Sequence, residues 1–135
     1  MEGSLTELSK HRLETAFSDF ETAKALYEMK QFRVSINRSY YSIFHALRAV
    51  VILDSFDSSK HSGIIAYFNQ HYVKEGYFDK GFSKLISSVF NMREKADYED
   101  FFIAYAEDAE AQIEKADVIL KAVKIFLEDK WSQND

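Results

Sequence analysis

Ile36-Asn37-Arg38-Ser39-Tyr40-Tyr41-Ser42-Ile43-Phe44-His45-Ala46-Leu47-Arg48 is the stretch that decides the fold. Ile36, Tyr40, Ile43 and Leu47, with Val50 just beyond, recur at three- and four-residue steps. Side chains at those offsets share one face of an α-helix. The apolar arc is wide, so a helix from about Gln31 or Phe32 to Leu53 is predicted to be the most buried element of the molecule.

Upstream, Leu13, Ala16, Phe17, Phe20, Ala23 and Tyr27 mark an amphipathic helix over about 5–29. Downstream, Asp54-Ser55-Phe56-Asp57-Ser58-Ser59 reads as a loop ending in a helix N-cap candidate. A shorter helix is predicted over about 60–72, through Ile64, Ile65, Phe68 and Tyr72, with Gly76 at the turn that follows. A fourth helix over about 82–95 presents Leu85, Ile86, Val89 and Phe90. The last, over about 101–130, carries Tyr105, Ala109, Ile113, Ala116, Leu120, Val123 and Leu127 at nearly heptad spacing. The polar tail over 131–135 is expected to fray.

Composition points the same way. Length, 135 residues, fits one compact domain with a core over about 5–127. A hydrophobic content of 47%, with 12 Phe and 8 Tyr, supplies that core and excludes a disordered chain. There is no proline and only 4 glycines, whereas hairpin-rich folds use both at their turns. The expected fold is therefore all-α: a single-domain, up-and-down bundle of four to five helices. The absence of cysteine excludes disulfides, thiol nucleophiles and Cys-ligated metal sites. The longest aliphatic run, Ala49 to Leu53, is far short of the roughly 20 residues of a membrane span. With no basic-then-apolar leader pattern, a cytoplasmic location without membrane contact is expected.

A net charge of −5 argues against a surface that coats nucleic acid generally, but the charge is unevenly placed. From Gln31 to Leu53 there is no acid, while Arg33, Arg38 and Arg48 are present. Asp97, Glu99, Asp100, Glu107, Asp108, Glu110 and Glu114 follow one another without an intervening base, apart from their apolar neighbours. Such polarity suits a locally positive site on an acidic protein, or an interface.

Arg38 and His45 are seven residues apart, two turns of helix, and so project from nearly the same face. Tyr41 and Ser42 lie between them, Asn37 flanks them, and Arg48 extends the stripe. This gathers a fixed cation, a group titrating near neutrality and several hydroxyl or amide groups. Against a phosphodiester, His45 can move a proton to or from a ribose 2′-hydroxyl or the leaving oxygen, and Arg38 can neutralise charge on the phosphoryl oxygens. The bland reading is that an Arg and a His at this spacing are structural, with Tyr40, Tyr41 and Phe44 as core or interface aromatics. His61 and His71, ten apart, lack the spacing of paired metal ligands, and no Glu-x-x-His occurs. No metal or cofactor is expected.

Asn37 through His45 resembles the motif of HEPN domains (higher eukaryotes and prokaryotes nucleotide-binding), an arginine followed after four to six residues by a histidine; here six separate them. Lys60-His61-Ser62-Gly63, the stretch from Phe68 to Gly76, and Arg93 followed by Asp97-Tyr98 are similar to a branch of small stand-alone prokaryotic HEPN proteins. The resemblance implies a helical bundle that dimerises, with arginine and histidine from two protomers meeting in a cleft. It also implies a metal-independent endoribonuclease or RNA-binding toxin, with Arg38 on phosphate, His45 as general acid/base, and Asn37, Tyr41 and Ser42 as supporting polar groups. Products would carry 2′,3′-cyclic phosphates, and a minimal nucleotidyltransferase would serve as antitoxin. The competing reading is a non-catalytic adaptor or nucleotide-binding partner of such a nucleotidyltransferase. One departure stands out. Toxins modified by these partners carry a tyrosine two residues after the motif histidine, and this chain has Leu47 there.

Overall fold

A computed structural model describes residues 2–133, which form five α-helices and, among the described residues, no strand. They are α1 (Glu2–Glu28), α2 (Phe32–Val51), α3 (His61–Phe68), α4 (Phe82–Tyr98) and α5 (Ala106–Gln133). α2 is the centre of the bundle and packs against all four others. Ile36, Tyr40, Ile43, Leu47 and Val50, the stripe read from the sequence, are all buried. All but Ile36 meet Leu13, Ala16 and Phe20 of α1, Ile64 and Phe68 of α3, Ile86 and Val89 of α4, and Ile119, Leu120, Val123 and Leu127 of α5 in the main core, while Ile36 packs with Ala96 of α4 and Ala109 of α5 in a smaller cluster. Burying such side chains is worth about 1.5–3 kcal/mol each before chain entropy is counted.

Three helix ends reverse the chain by the same device. At the end of α1 the Gln31 and Lys30 amides donate to the Leu26 and Tyr27 carbonyls, at 2.8 and 2.9 Å, with Lys30 at φ 62°. After α2 a 3₁₀ turn (Ile52–Asp54) ends with Phe56 and Ser55 donating to Val51 and Ile52, with Ser55 at φ 60°. After α3 a π-helical turn (Asn69–Val73) ends with Tyr77 and Gly76 donating to Tyr72 and Val73, with Gly76 at φ 88°. Each is a Schellman ending, which satisfies the last carbonyls of a helix and requires one left-handed residue. Gly76 was legible as such a turn; Lys30 and Ser55, which are not glycine, were not.

Some boundaries differ from the sequence reading. α3 starts without a side-chain cap, and Ser58 rather than Ser59 contributes its hydroxyl, accepting from the Lys60 amide at 3.1 Å. α4 runs three residues longer than read, to Tyr98. α5 begins at Ala106 rather than near Phe101; the Phe102 amide donates to the Glu99 carbonyl at 3.3 Å in a turn, and the chain over 102–105 is irregular. There Phe102 and Ala104 turn inward onto Ile36, Ala96 and Ala109, while Phe101, Ile103 and Tyr105 stay exposed. Arg33 holds this segment by donating to the Ala96 and Phe102 carbonyls.

At the other end α5 continues past Trp131, where fraying was expected, to Gln133; residues 134–135 lie outside those described. The Trp131 indole donates to Ser9 Oγ at 3.0 Å, and Ser9 donates to the Ala49 carbonyl at 2.6 Å, so α5 is tied through α1 to α2. Trp131→Ala is therefore expected to destabilise the bundle by about 2 kcal/mol in urea unfolding, a large-to-small change at a half-buried site. An unchanged midpoint would show that the last turn carries no load.

Candidate functional site

Between Ser35 and Val51, the residues that are not fully buried are Asn37, Arg38, Tyr41, His45 and Arg48. They form one stripe along α2, left open between α1 on one side and α3 and α4 on the other. The structure thus brings together Arg38, His45, Asn37 and Tyr41 of the sequence-predicted site. Ser42 is a correction: it is fully buried and donates to the Ser39 carbonyl of its own helix at 2.7 Å. Its angular position, on the far side of His45 from Tyr41, faces it into the bundle rather than toward the opening.

A residue not singled out from the sequence joins the two motif side chains. Asp19 of α1 places Oδ1 at 3.5 Å from Arg38 Nη1 and Oδ2 at 3.7 Å from His45 Nε2. These are ion-pair distances, too long for strong hydrogen bonds. Asp19 is only 17% exposed in its side chain. The sequence held a signal for it: Arg12 and Asp19, seven apart, fall in phase with the core positions Ala16 and Ala23 of α1. Two charges on the buried side of an amphipathic helix need partners there. Arg12 finds Asp57, at 2.9 Å, and Arg48 approaches the same carboxylate at 3.5 Å.

On the other flank, Arg93 of α4 is buried and donates from Nε to Asp97 Oδ2 at 2.8 Å and from Nη2 to the Tyr41 hydroxyl at 3.2 Å. Asn37 Nδ2 donates to the same Asp97 oxygen at 3.1 Å. Asn37 Oδ1 in turn accepts from Arg38 Nε and Nη2, at 3.0 and 2.8 Å. A polar chain therefore runs Arg93–Asp97–Asn37–Arg38–Asp19–His45 across three helices. The Arg38 guanidinium lies 4.7 Å over the Tyr41 ring, which sits inside this chain. Asp97, read from the sequence both in an acidic run and with Arg93 and Tyr98 in the family resemblance, lies in this polar chain, whereas Glu99, Asp100, Glu107, Glu110 and Glu114 are exposed.

His45 is half-buried among these charges. Burial pushes its imidazole below the ordinary histidine value, Asp19 pulls it back up, and the Arg48, Arg38 and Arg12 cations push it down further. The ring is thus neutral at pH 7, and Asp19 is placed to stabilise the imidazolium formed when it takes a proton. His61 and His71 do not share a site: His61 lies on Phe44 and His71 on Tyr67, with ring centroids 4.0 and 4.2 Å apart. Among the described residues, no three His, Asp or Glu side chains are grouped to hold a metal ion, and no helix is long and apolar enough to cross a membrane.

The sequence model of the HEPN domain matches residues 9–126, and the chain belongs to this family. Over 117 residues, 87% of each chain, it is 32% identical to a Methanocaldococcus jannaschii protein named "Putative toxin MJ0605". A second protein of that organism, "Putative toxin MJ0142", is 27% identical over 118 residues, 87% of this chain and 80% of that one. A UPF0332 protein of Thermotoga maritima is 31% identical over 109 residues, 81% of this chain and 83% of its own. Leu47, two residues after His45, is 0% exposed and belongs to the core.

The lowered values of His45 and His61 give the fold a pH dependence. A histidine whose folded value is depressed is protonated first in the unfolded chain, so protons favour unfolding. Urea-unfolding stability is expected to fall as pH drops below about 6.5, the ordinary histidine value, and to be level just above it. His45→Gln should flatten that slope.

Proposed function

We propose that the protein is a metal-independent endoribonuclease that cleaves RNA at a cleft shared by two copies of the chain. The observation that supports this reading best is the Arg38–Asp19–His45 arrangement: a cation and a neutral imidazole on one open stripe, bridged by a carboxylate. In the reaction His45 Nε2 accepts the proton of a ribose 2′-hydroxyl. The 2′-oxygen bonds to phosphorus, the bond from phosphorus to the 5′-oxygen breaks, and that oxygen takes up the proton from the His45 imidazolium just formed, which returns the ring to its neutral form. The products are a 2′,3′-cyclic phosphate and a 5′-hydroxyl. Arg38 binds the phosphoryl oxygens and stabilises the charge that builds on them, while Tyr41 and Asn37 hold its guanidinium in place.

A dimer suits the surface. From Ser35 to Val51, α2 is covered by its own chain except along the stripe, so a second copy would dock mainly on neighbouring elements. Phe101 is 95% exposed, and Ile103, Tyr105 and Tyr98 are exposed beside it. Tyr98 stacks on Arg93 at 5.6 Å, which makes this apolar edge continuous with the site. The exposed acids Glu107, Glu110 and Glu114 of α5 suit a separate cationic partner, and a neighbouring minimal nucleotidyltransferase acting as antitoxin would dock on them, with rim charge governing association rate.

RNA cleavage is expected to persist in EDTA, to give cyclic phosphate ends and to spare DNA. His45→Ala should lose roughly 10²-fold or more in rate. Arg38→Lys should fail as well, because an ammonium does not reproduce the planar guanidinium fork. Cleavage no greater than a mock preparation, or equal in wild type and His45→Ala, would leave the pair as structural residues and favour the adaptor reading.

Sedimentation at tens of micromolar should show a dimer, with an interface of at least about 1,000 Å² in total. Phe101→Glu should shift it to monomer without loss of helix content. Monomer alone in the wild type would rule out a composite site.

A further inference from the structure

His61, the first residue of α3, has no part in the reaction described above, yet its ring stands at the edge of the same site. It lies 4.0 Å from the Phe44 ring and meets Tyr41 edge-on at 5.7 Å, while His45 flanks the same two rings at 5.7 and 6.2 Å. The two imidazoles thus bracket one aromatic pair. We propose that His61 is a further substrate-binding residue, a neutral imidazole that donates its Nε2 hydrogen to a phosphoryl oxygen of bound RNA. The proposal rests on the reading of this stripe as an RNA site.

The tautomer follows from Tyr40. Its hydroxyl lies 2.7 Å from His61 Nδ1, and Tyr40 is 2% exposed. Burial pushes the phenol upward, so it keeps its proton at any ordinary pH. Among the described residues Nδ1 is the one partner of that hydroxyl, and a buried hydroxyl proton without an acceptor is costly. The hydroxyl therefore donates to Nδ1, and the hydrogen of the neutral ring sits on Nε2.

The groups facing His61 keep the ring neutral. Burial, then the guanidiniums of Arg93 on α4 and Arg48 on α2, lower its proton affinity, and Glu94 on α4 opposes them weakly. Tyr40 and Tyr41 add no charge. Such a ring is a poor acid at pH 7 but a fixed dipole, which stabilises an anionic phosphoryl group without moving a proton. His61 keeps its hydrogen throughout the reaction.

Two measurements on the intact protein test this. The first follows the imidazole nitrogens by long-range ¹H–¹⁵N NMR at pH 7 while a 2′-O-methyl oligoribonucleotide, which cannot be cleaved, is added. The His61 Nε2–H tautomer is expected, with its Nε2 resonance moving on addition, and Tyr40→Phe should give mixed tautomers. An Nδ1–H tautomer, or an Nε2 resonance that stays still, overturns the proposal.

The second compares cleavage rates. His61→Ala should lose about 10²-fold in kcat, the scale of one lost oxyanion donor. His61→Gln, whose amide nitrogen donates without titrating, should recover most of that loss. Equal loss in both variants would mean that His61 transfers a proton, and overturns the proposal; so does full activity in His61→Ala. The two readings fail separately. No cleavage by wild type with the Nε2 shift present removes the nuclease reading and leaves the donor; cleavage with an unmoved Nε2 does the reverse.

Discussion

The enclosure of α2 by its own chain is the constraint on which the structure depends. A helix that touches all four of its neighbours must be apolar or small almost all the way round, as Ala46, Ala49, Ser35 and Ser39 are. Where such a helix carries large polar side chains, they have one direction in which to go. Asn37, Arg38, Tyr41, His45 and Arg48 take it, and over residues 35–51 they mark the open side of α2. Close packing fixes their rotamers as it fixes the core, because little free volume surrounds their stems.

Charge in that gap is arranged in pairs whose partners come from other helices. Asp19 and Arg12 reach in from α1, Arg93 and Asp97 from α4, and Asp57 from the loop after α2. No acid of α2 itself contributes, since none exists between Gln31 and Leu53. The cations are therefore held by carboxylates at their back and sides, while their front is left to solvent or ligand. Half-buried pairs of this kind lose strongly when one partner is removed, because the other charge is left desolvated.

Much of this was legible in the sequence. Periodicity located all five helices, since each buries a continuous face, and the Arg38–His45 spacing located the stripe. What could not be read is what depends on another helix. Ser42 falls within reach of the motif by residue spacing, yet its few tens of degrees of rotation about α2 put it inside the core. The phase of Asp19 on α1 marks it as a charge in need of a partner, and Arg93 stands out with Asp97 and Tyr98, but that both reach the Arg38–His45 stripe depends on how α1 and α4 are docked. The segment over 101–105 contains residues as suited to helix as to strand and has no Gly or Pro to mark it; it is irregular, with Phe102 packed against a cluster formed by Ile36, Ala96 and Ala109. Tail residue Trp131 is likewise held by Ser9, more than a hundred residues away.

The reversal at Lys30 has a consequence for how the site comes into being. It joins α1 to α2 through three residues, Met29 to Gln31, so the two helices form an antiparallel hairpin whose members are neighbours in sequence. Asp19, Arg38 and His45 all lie within it, separated by 19 residues at the first step and 7 at the second. Contacts of such short range close quickly, because little loop entropy is lost in making them. The arginine–carboxylate–histidine cluster therefore asks for no contact beyond this one hairpin, whereas His61 and Arg93 join it only through the packing of α3 and α4. The charged half of the cleft is thus built from short-range contacts, and its other half is walled in by helices that come later in the sequence.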